Sequence, residues 1–93
     1  MITQESIPLR ASQTTIRQDP NGVLLFQMAT DQMYLAGPAA GAVFDLCDGT
    51  RSVRAIVAVL LEHNPAWNRA EAVGQVASLL DALRCRGLIE LWS

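Results

Sequence analysis

The residues able to do chemistry are few and poorly matched. The chain has two cysteines, Cys47 and Cys85, and one histidine, His63. Nucleophilic catalysis needs a nucleophile beside a base and an orienting third group. Metal binding needs several ligands at a fixed spacing. Neither pattern is present, and no Cys-x-x-Cys occurs. Ala36-Gly37-Pro38-Ala39-Ala40-Gly41 holds paired glycines, but no Lys-Ser/Thr follows, so it is not a phosphate loop. Asp45 lies close to Asp48, but Asp48 precedes Gly49 and is better explained as a turn residue. This inventory points away from an enzyme, a metal site or a cofactor site, and toward binding through backbone and apolar surface.

Charge narrows the binding classes. Nine acidic residues face seven basic ones, for a net charge of −2, and all seven bases are scattered arginines. A nucleic-acid binder normally carries a clustered basic footprint, so no nucleic-acid partner is expected. No apolar run approaches the roughly 18 residues that span a bilayer, so no membrane partner is expected either. Met1-Ile2-Thr3-Gln4-Glu5 lacks the basic and apolar regions of a signal peptide, which places the chain in the cytoplasm. Cys47 and Cys85 sit beside apolar neighbours in helical patterns and read as two buried, reduced thiols. With 51% hydrophobic and 17% charged residues, the 93-residue chain reads as one globular domain over 1–93, with residues 1–6 loose.

The elements follow from periodicity and punctuation. Ile7 to Gln18 is mixed, anchored by Ile7, Leu9 and Ile16, and Pro8 suits an edge segment. Asp19-Pro20-Asn21-Gly22 is a turn. Val23 to Met28 and Gln32 to Ala36 read as strands of a hairpin joined by Ala29-Thr30-Asp31. In the second strand Met33 and Leu35 point one way, Gln32 and Tyr34 the other. Pro38 suits a first helical position, and Ala39, Ala42, Val43, Leu46 and Cys47 follow helical spacing. After the Asp48-Gly49-Thr50 turn, Ser52 caps a helix with Val53, Ile56, Val57, Leu60 and Leu61 on one stripe. His63, before Asn64-Pro65, suits the negative end of that helix. Asn68 and Glu71 form a capping-box pattern for a third helix with Val73, Val76, Ala77, Leu80 and Leu83 as its core stripe. Ala72, Leu79 and Arg86 lie off the centre of that stripe. Gly87 ends the helix, with Leu83 and Leu88 in contact across a Schellman turn. Leu88 to Trp92 reads as a short final strand.

Strands followed by three helices, with a tight turn between the first two, give an α+β winged helix-turn-helix. An exposed edge on the Gln32–Ala36 strand, flanked by the third helix, would accept an extended peptide as an added strand.

The residues that carry this architecture also carry a family resemblance. They are Val23-Leu24-Leu25, Tyr34-Leu35, Pro38-Ala39-Ala40-Gly41-Ala42, Leu46-Cys47-Asp48-Gly49-Thr50, Ser52-Val53 with Ile56, Leu79-Leu80-Asp81-Ala82-Leu83 and Gly87-Leu88-Ile89. From about Ile7 to Leu91 the chain resembles the PqqD-like family, the recognition element of ribosomally made, modified peptides. Val23 to Leu35 lacks the Pro-Glu pattern of a PqqD proper. Tyr34-Leu35-x-Gly37-Pro38 is more similar to the stand-alone recognition proteins of lasso-peptide pathways. Gly37 stands where a helix-capping Asn is usual.

The resemblance implies an N-terminal three-stranded antiparallel sheet followed by three helices. It implies a non-catalytic adaptor that binds a precursor's leader peptide along Gln32–Ala36, beside the Asn68–Arg86 helix. Gln32, Met33, Tyr34 and Leu35 would supply the edge, Val76, Leu79 and Leu83 the apolar wall, and Arg86 a polar anchor. The implied partners are the leader peptide and a separate maturation enzyme, either a leader peptidase or a radical-SAM-type maturase. Two other readings stand beside this one: a small winged-helix DNA-binding regulator, and an interaction domain whose groove is filled by its own tail, Leu88 to Trp92.

Overall fold

The structure is a computed structural model that describes residues 2–37 and 39–92, with Trp92 described by its backbone. Four strands come first: β1 (Ile7–Arg10), β2 (Thr14–Asp19), β3 (Gly22–Gln27) and β4 (Gln32–Ala36). Helices α1 (Ala39–Leu46), α2 (Val53–His63) and α3 (Arg69–Cys85) follow, and β5 (Ile89–Trp92) closes the chain. The expected placement of Pro38 lies outside the described residues.

The class is α+β with three helices, but the strands divide between two sheets. β2, β3 and β4 form an antiparallel sheet with β3 in the centre, while β1 pairs antiparallel with β5 in a second, two-stranded sheet. The mixed pattern of Ile7–Gln18 hid this division. β1 carries a buried Pro8, and β2 is almost wholly exposed, so neither shows a clean alternation. The hairpin after β3 has a four-residue loop, Met28–Asp31, in which Asp31 takes φ +57. It is one residue longer than expected because Met28 is exposed and Gln27 is the last paired residue.

The core lies between the inner face of the larger sheet and the helices. Val23 and Leu25 of β3 meet Val43 and Phe44 of α1, Ile56, Val57 and Leu60 of α2, and Val76, Leu80 and Leu83 of α3. The buried face of α1 is Ala40, Gly41, Val43 and Phe44, while Ala39 and Ala42 are exposed, so the helix is rotated by about one residue from the expected stripe. Gly41 is the reason: an added Cβ would stand 3.2 Å from Val23 Cγ2, so α1 packs its backbone directly onto β3. In α3, Ala72 is buried, whereas Val73 and Ala77 are only half-buried.

The ends of the helices obey their local chemistry. Ser52 Oγ accepts from Ala55 N–H at the start of α2. Asn68 Oδ1 accepts from Ala70 and Glu71 N–H at the start of α3. After Cys85, Leu88 N–H donates to Leu83 C=O and Gly87 N–H to Arg84 C=O, with Gly87 at φ +72, which is the Schellman ending.

The Asp48-Gly49-Thr50 turn does more than reverse the chain. Gly49 N–H donates to Pro8 C=O, Arg10 N–H donates to Cys47 C=O, and Asp48 bridges Leu9. The corner between α1 and α2 is therefore stitched to β1. Asp48 Oδ1 accepts from the Thr50 hydroxyl and N–H, and Arg51 pairs with Oδ2 at 2.6 Å. The Thr50 bonds, with Arg51 behind them, hold the Asp48 carboxyl below its ordinary pKa. The segment ahead of β1, read as loose, also makes defined bonds: Val53 N–H donates to Ser6 C=O and Arg54 N–H to Gln4 C=O.

Gln27 is the one buried side-chain amide among the described residues. Its Nε2 donates to Gly87 C=O at 2.8 Å and to Ser12 C=O at 3.2 Å, and its Oε1 accepts from Ala29 N–H at 3.1 Å. It joins the sheet to the far end of α3. Truncating Gln27→Ala would leave Gly87 C=O and Ala29 N–H without these partners. The expected loss is about 1–3 kcal/mol, read from urea unfolding curves.

The cysteines differ from the expected buried pair: Cys47 is buried and Cys85 is exposed, because α3 turns Cys85 to its solvent side beside Arg84. Burial pushes the Cys47 thiol up to about 12, and its Sγ donates to Val43 C=O. The folded state therefore favours the protonated thiol. That contribution is complete below the ordinary value of 9.0 and is lost as pH climbs from there toward about 12. With an excess of an aromatic disulfide reagent at pH 8, one thiol, Cys85, should react in the native protein. Cys47 should follow only in denaturant.

Candidate functional site: a cleft between a sheet edge and the third helix

β2 and β4 are the two edges of the larger sheet. Hydrogen-bond parity decides what β4 offers. Met28 N–H donates to Gln13 C=O, on the β2 side of the hairpin. Backbone groups alternate direction along an antiparallel strand, so Gly22, Leu24 and Phe26 also face β2, while Val23, Leu25 and Gln27 face β4. Their register partners are Ala36, Tyr34 and Gln32. The N–H and C=O groups of Met33 and Leu35 are thus the ones that point to the open edge.

Side chains follow the same two-residue period. Tyr34 and Ala36 turn inward, half-buried and buried, whereas Met33 and Leu35 are 58% and 55% exposed. Met33 borders a shallow depression of about 250 Å³ on the outer face, with Leu24, Phe26, Thr15 and Arg17. Leu35 borders the inner cleft.

That cleft runs between β4 and α3. One open part, of about 590 Å³, is lined by Tyr34, Glu71, Gly74, Gln75, Ser78 and Leu79. A deeper part, of about 370 Å³, is lined by Tyr34, Leu35 and Ala36 of the sheet, Val76 and Leu79 of α3, and also by Trp67, Leu60 and Val43. Gly74 faces the open space of the cleft, with nothing within 4 Å of an added Cβ. The bond from Gln27 to Gly87 places the start of β4 at the C-terminal end of α3, so strand and helix run antiparallel.

Of the residues expected to form the site, Gln32, Met33, Tyr34 and Leu35 lie along this edge, and Val76 and Leu79 line the cleft. Leu83 does not. It is 0% exposed and belongs to the core, because it packs beneath the Schellman turn with Leu88. Arg86 stands at the end of the cleft with its guanidinium 4.6 Å from the centroid of the Tyr34 ring, a cation–π contact, and donates to Ala82 C=O.

Sequence reasoning missed Trp67, Glu71 and Gln75. Asn64-Pro65 and the Asn68 cap showed a loop and a helix start there, but nothing local says that this junction faces β4. The final strand does not fill the cleft, because β5 pairs with β1 through the register Ile7↔Trp92 to Arg10↔Ile89. The tail-filled reading is therefore incorrect for the described residues.

The family model described as coenzyme PQQ synthesis protein D (PqqD) matches residues 22–89. The chain belongs to the PqqD family. The match begins at the first residue of β3 and ends in β5, so it contains β4, the cleft and all three helices. No curated protein and no solved structure matches the chain. Membership supports a precursor-peptide adaptor working with a modifying enzyme, in line with the sparse catalytic inventory. Among the described residues no helix of this PqqD-family chain is long and apolar enough to cross a membrane.

The division between core and cleft is measurable. Leu83→Ala should cost about 2–5 kcal/mol of stability, as for other fully buried leucines. Met33→Ala and Leu35→Ala should each stay within about 0.5 kcal/mol, as for exposed positions. Chemical denaturation of the three variants checks both.

Proposed function

We propose that this protein is a non-catalytic adaptor that captures the leader segment of a ribosomally synthesised precursor peptide. The peptide adds as a strand to β4, with alternate side chains entering the cleft against α3. The adaptor then presents it to a separate processing enzyme. The resemblance to lasso-pathway recognition proteins favours a leader peptidase as that enzyme, with a radical-SAM-type maturase as the other candidate.

The observation that carries this reading is the unpaired edge of β4 lying open along an apolar cleft. Met33 and Leu35 offer two donors and two acceptors. About four added backbone bonds at roughly 1 kcal/mol each contribute part of the affinity. Apolar anchors in the Val76–Leu79 wall and beside Trp67 add roughly 2 kcal/mol each. Ordering the peptide removes about 2–5 kcal/mol. Micromolar binding, about 8 kcal/mol, therefore requires the deep part of the cleft to be occupied as well as the edge. Duplex DNA has no comparable support: Arg51, Arg54 and Arg84 are each paired with a carboxylate, and there is no lysine.

A fluorescence-anisotropy titration tests the reading, using the leader of the precursor encoded beside this gene. The expected result is saturable binding with modest salt dependence. Leu35→Pro removes an outward N–H without touching the ladder to β3, and it should abolish binding while the far-UV circular dichroism is retained. Undiminished affinity in that variant would overturn strand addition.

A further inference from the structure

The cleft has opposite charges at its two ends. Arg86 stands at the end where β4 begins, over Tyr34, and makes no salt bridge among the described residues. Glu71 lines the cleft near the opposite end, beside Gln75 and Trp67. Its position in the capping pattern would direct its carboxylate back to Asn68 N–H, but no such bond forms among the described residues. Asn68 caps the helix from its own side chain, and Glu71 is left to the cleft. Between these two charges the α3 wall is uncharged: Gly74, Gln75, Val76, Ser78 and Leu79.

We propose that this charge pair makes the cleft read the direction and charge order of its peptide. The proposal rests on the strand-addition reading and extends it to a class of ligand. The bound segment is extended and antiparallel to β4. A basic residue stands against Glu71, and an acidic residue nearer the peptide's C-terminus stands against Arg86, with apolar side chains alternating between them.

The direction follows from the ladder. An antiparallel strand closes paired bonds with Met33 and again with Leu35, and continues a sheet that is antiparallel throughout. Such a strand enters at the Ala36 end and leaves at the Gln32 end, so its N-terminal part meets Glu71 and its C-terminal part meets Arg86. The spacing follows from the helix. From Glu71 to Arg86, at about 1.5 Å per residue, α3 advances about 22 Å. An extended chain covers that distance in about six or seven residues at about 3.3 Å each. Side chains on one face are an even number apart, so the spacing is about six. Arg86 suits the acid, because its planar guanidinium can leave the Tyr34 face for a carboxylate without losing a salt bridge.

The test uses two end-blocked peptides of alternating Leu and Thr. One carries Lys near its N-terminus and Glu about six residues later; the other has the Lys and Glu exchanged. Binding to the full chain is followed by amide NMR shifts of β4 and α3 at low and high salt. The Lys-first peptide should bind about fivefold tighter at low salt, as expected for partly exposed ion pairs. The preference should shrink as salt rises. In the double variant Glu71→Arg with Arg86→Glu the preference should invert. The milder pair Glu71→Gln with Arg86→Gln, which disturbs the helix ends less, should abolish it. Equal binding of both peptides, or a preference for the Glu-first peptide, would overturn the proposal and leave strand addition standing. Binding of neither peptide would overturn strand addition itself, and this proposal with it.

Discussion

The geometry of the cleft depends on the Gln27 amide. It is the last residue of β3, buried, and its two ends bond in different directions: Nε2 to Ser12 and Gly87, Oε1 to Ala29. The sheet and α3 meet elsewhere through apolar side chains such as Leu25, Val76 and Leu80, which are non-directional and tolerate sliding. The Gln27–Gly87 bond supplies the direction. It pins the C-terminal end of α3 to the turn of the β3–β4 hairpin, and so fixes where Arg86 stands relative to Tyr34. A buried amide whose partners are all in place specifies one arrangement, since any slip leaves polar groups unsatisfied in a low-dielectric core.

A second constraint comes from parity. One residue of register decides both which backbone groups of β4 reach the open edge and which side chains reach the cleft. Met33 and Leu35 present their backbone to the edge and their side chains to the outer face or rim. Tyr34 and Ala36 do the reverse. A strand added at this edge would lie beside the backbone of one pair and beside the side chains of the other.

The smaller sheet serves the site indirectly. By pairing β1 with β5 and bridging Leu9 to Asp48, it ties both chain ends to the corner between α1 and α2. The apolar final strand is thereby used in pairing with β1, and the cleft is left open. The Asp48–Gly49–Thr50 turn, which from spacing alone resembles the corner of a DNA-binding motif, is held against β1 by Gly49 N–H and Arg10 N–H.

Much of this architecture is written in local signals. Ser52, Asn68 and Gly87 announce their helix ends, because capping depends on residues within one turn of each other. The α2 stripe and the β3–β4 hairpin follow from periodicity; Gln32, Met33, Tyr34 and Leu35 lie along the β4 edge, and Tyr34, Leu35, Val76 and Leu79 line the cleft. What was not legible depends on long-range placement. Periodicity puts Leu83 on the core stripe of α3 and Leu79 off it, against the wall role that the family resemblance implied for Leu83, and the packing of α3 makes Leu83 core and Leu79 cleft. Nothing near Glu71 or Trp67 shows that they face β4, more than thirty residues away in sequence. The split into two sheets was hidden for the same reason, since β1 finds its partner at the opposite end of the chain. Composition and short-range pattern determined the α+β class, the three helices and the β3–β4 hairpin. The tertiary fold decided which faces meet, because burial and strand pairing depend on neighbours that the chain brings together only when it folds.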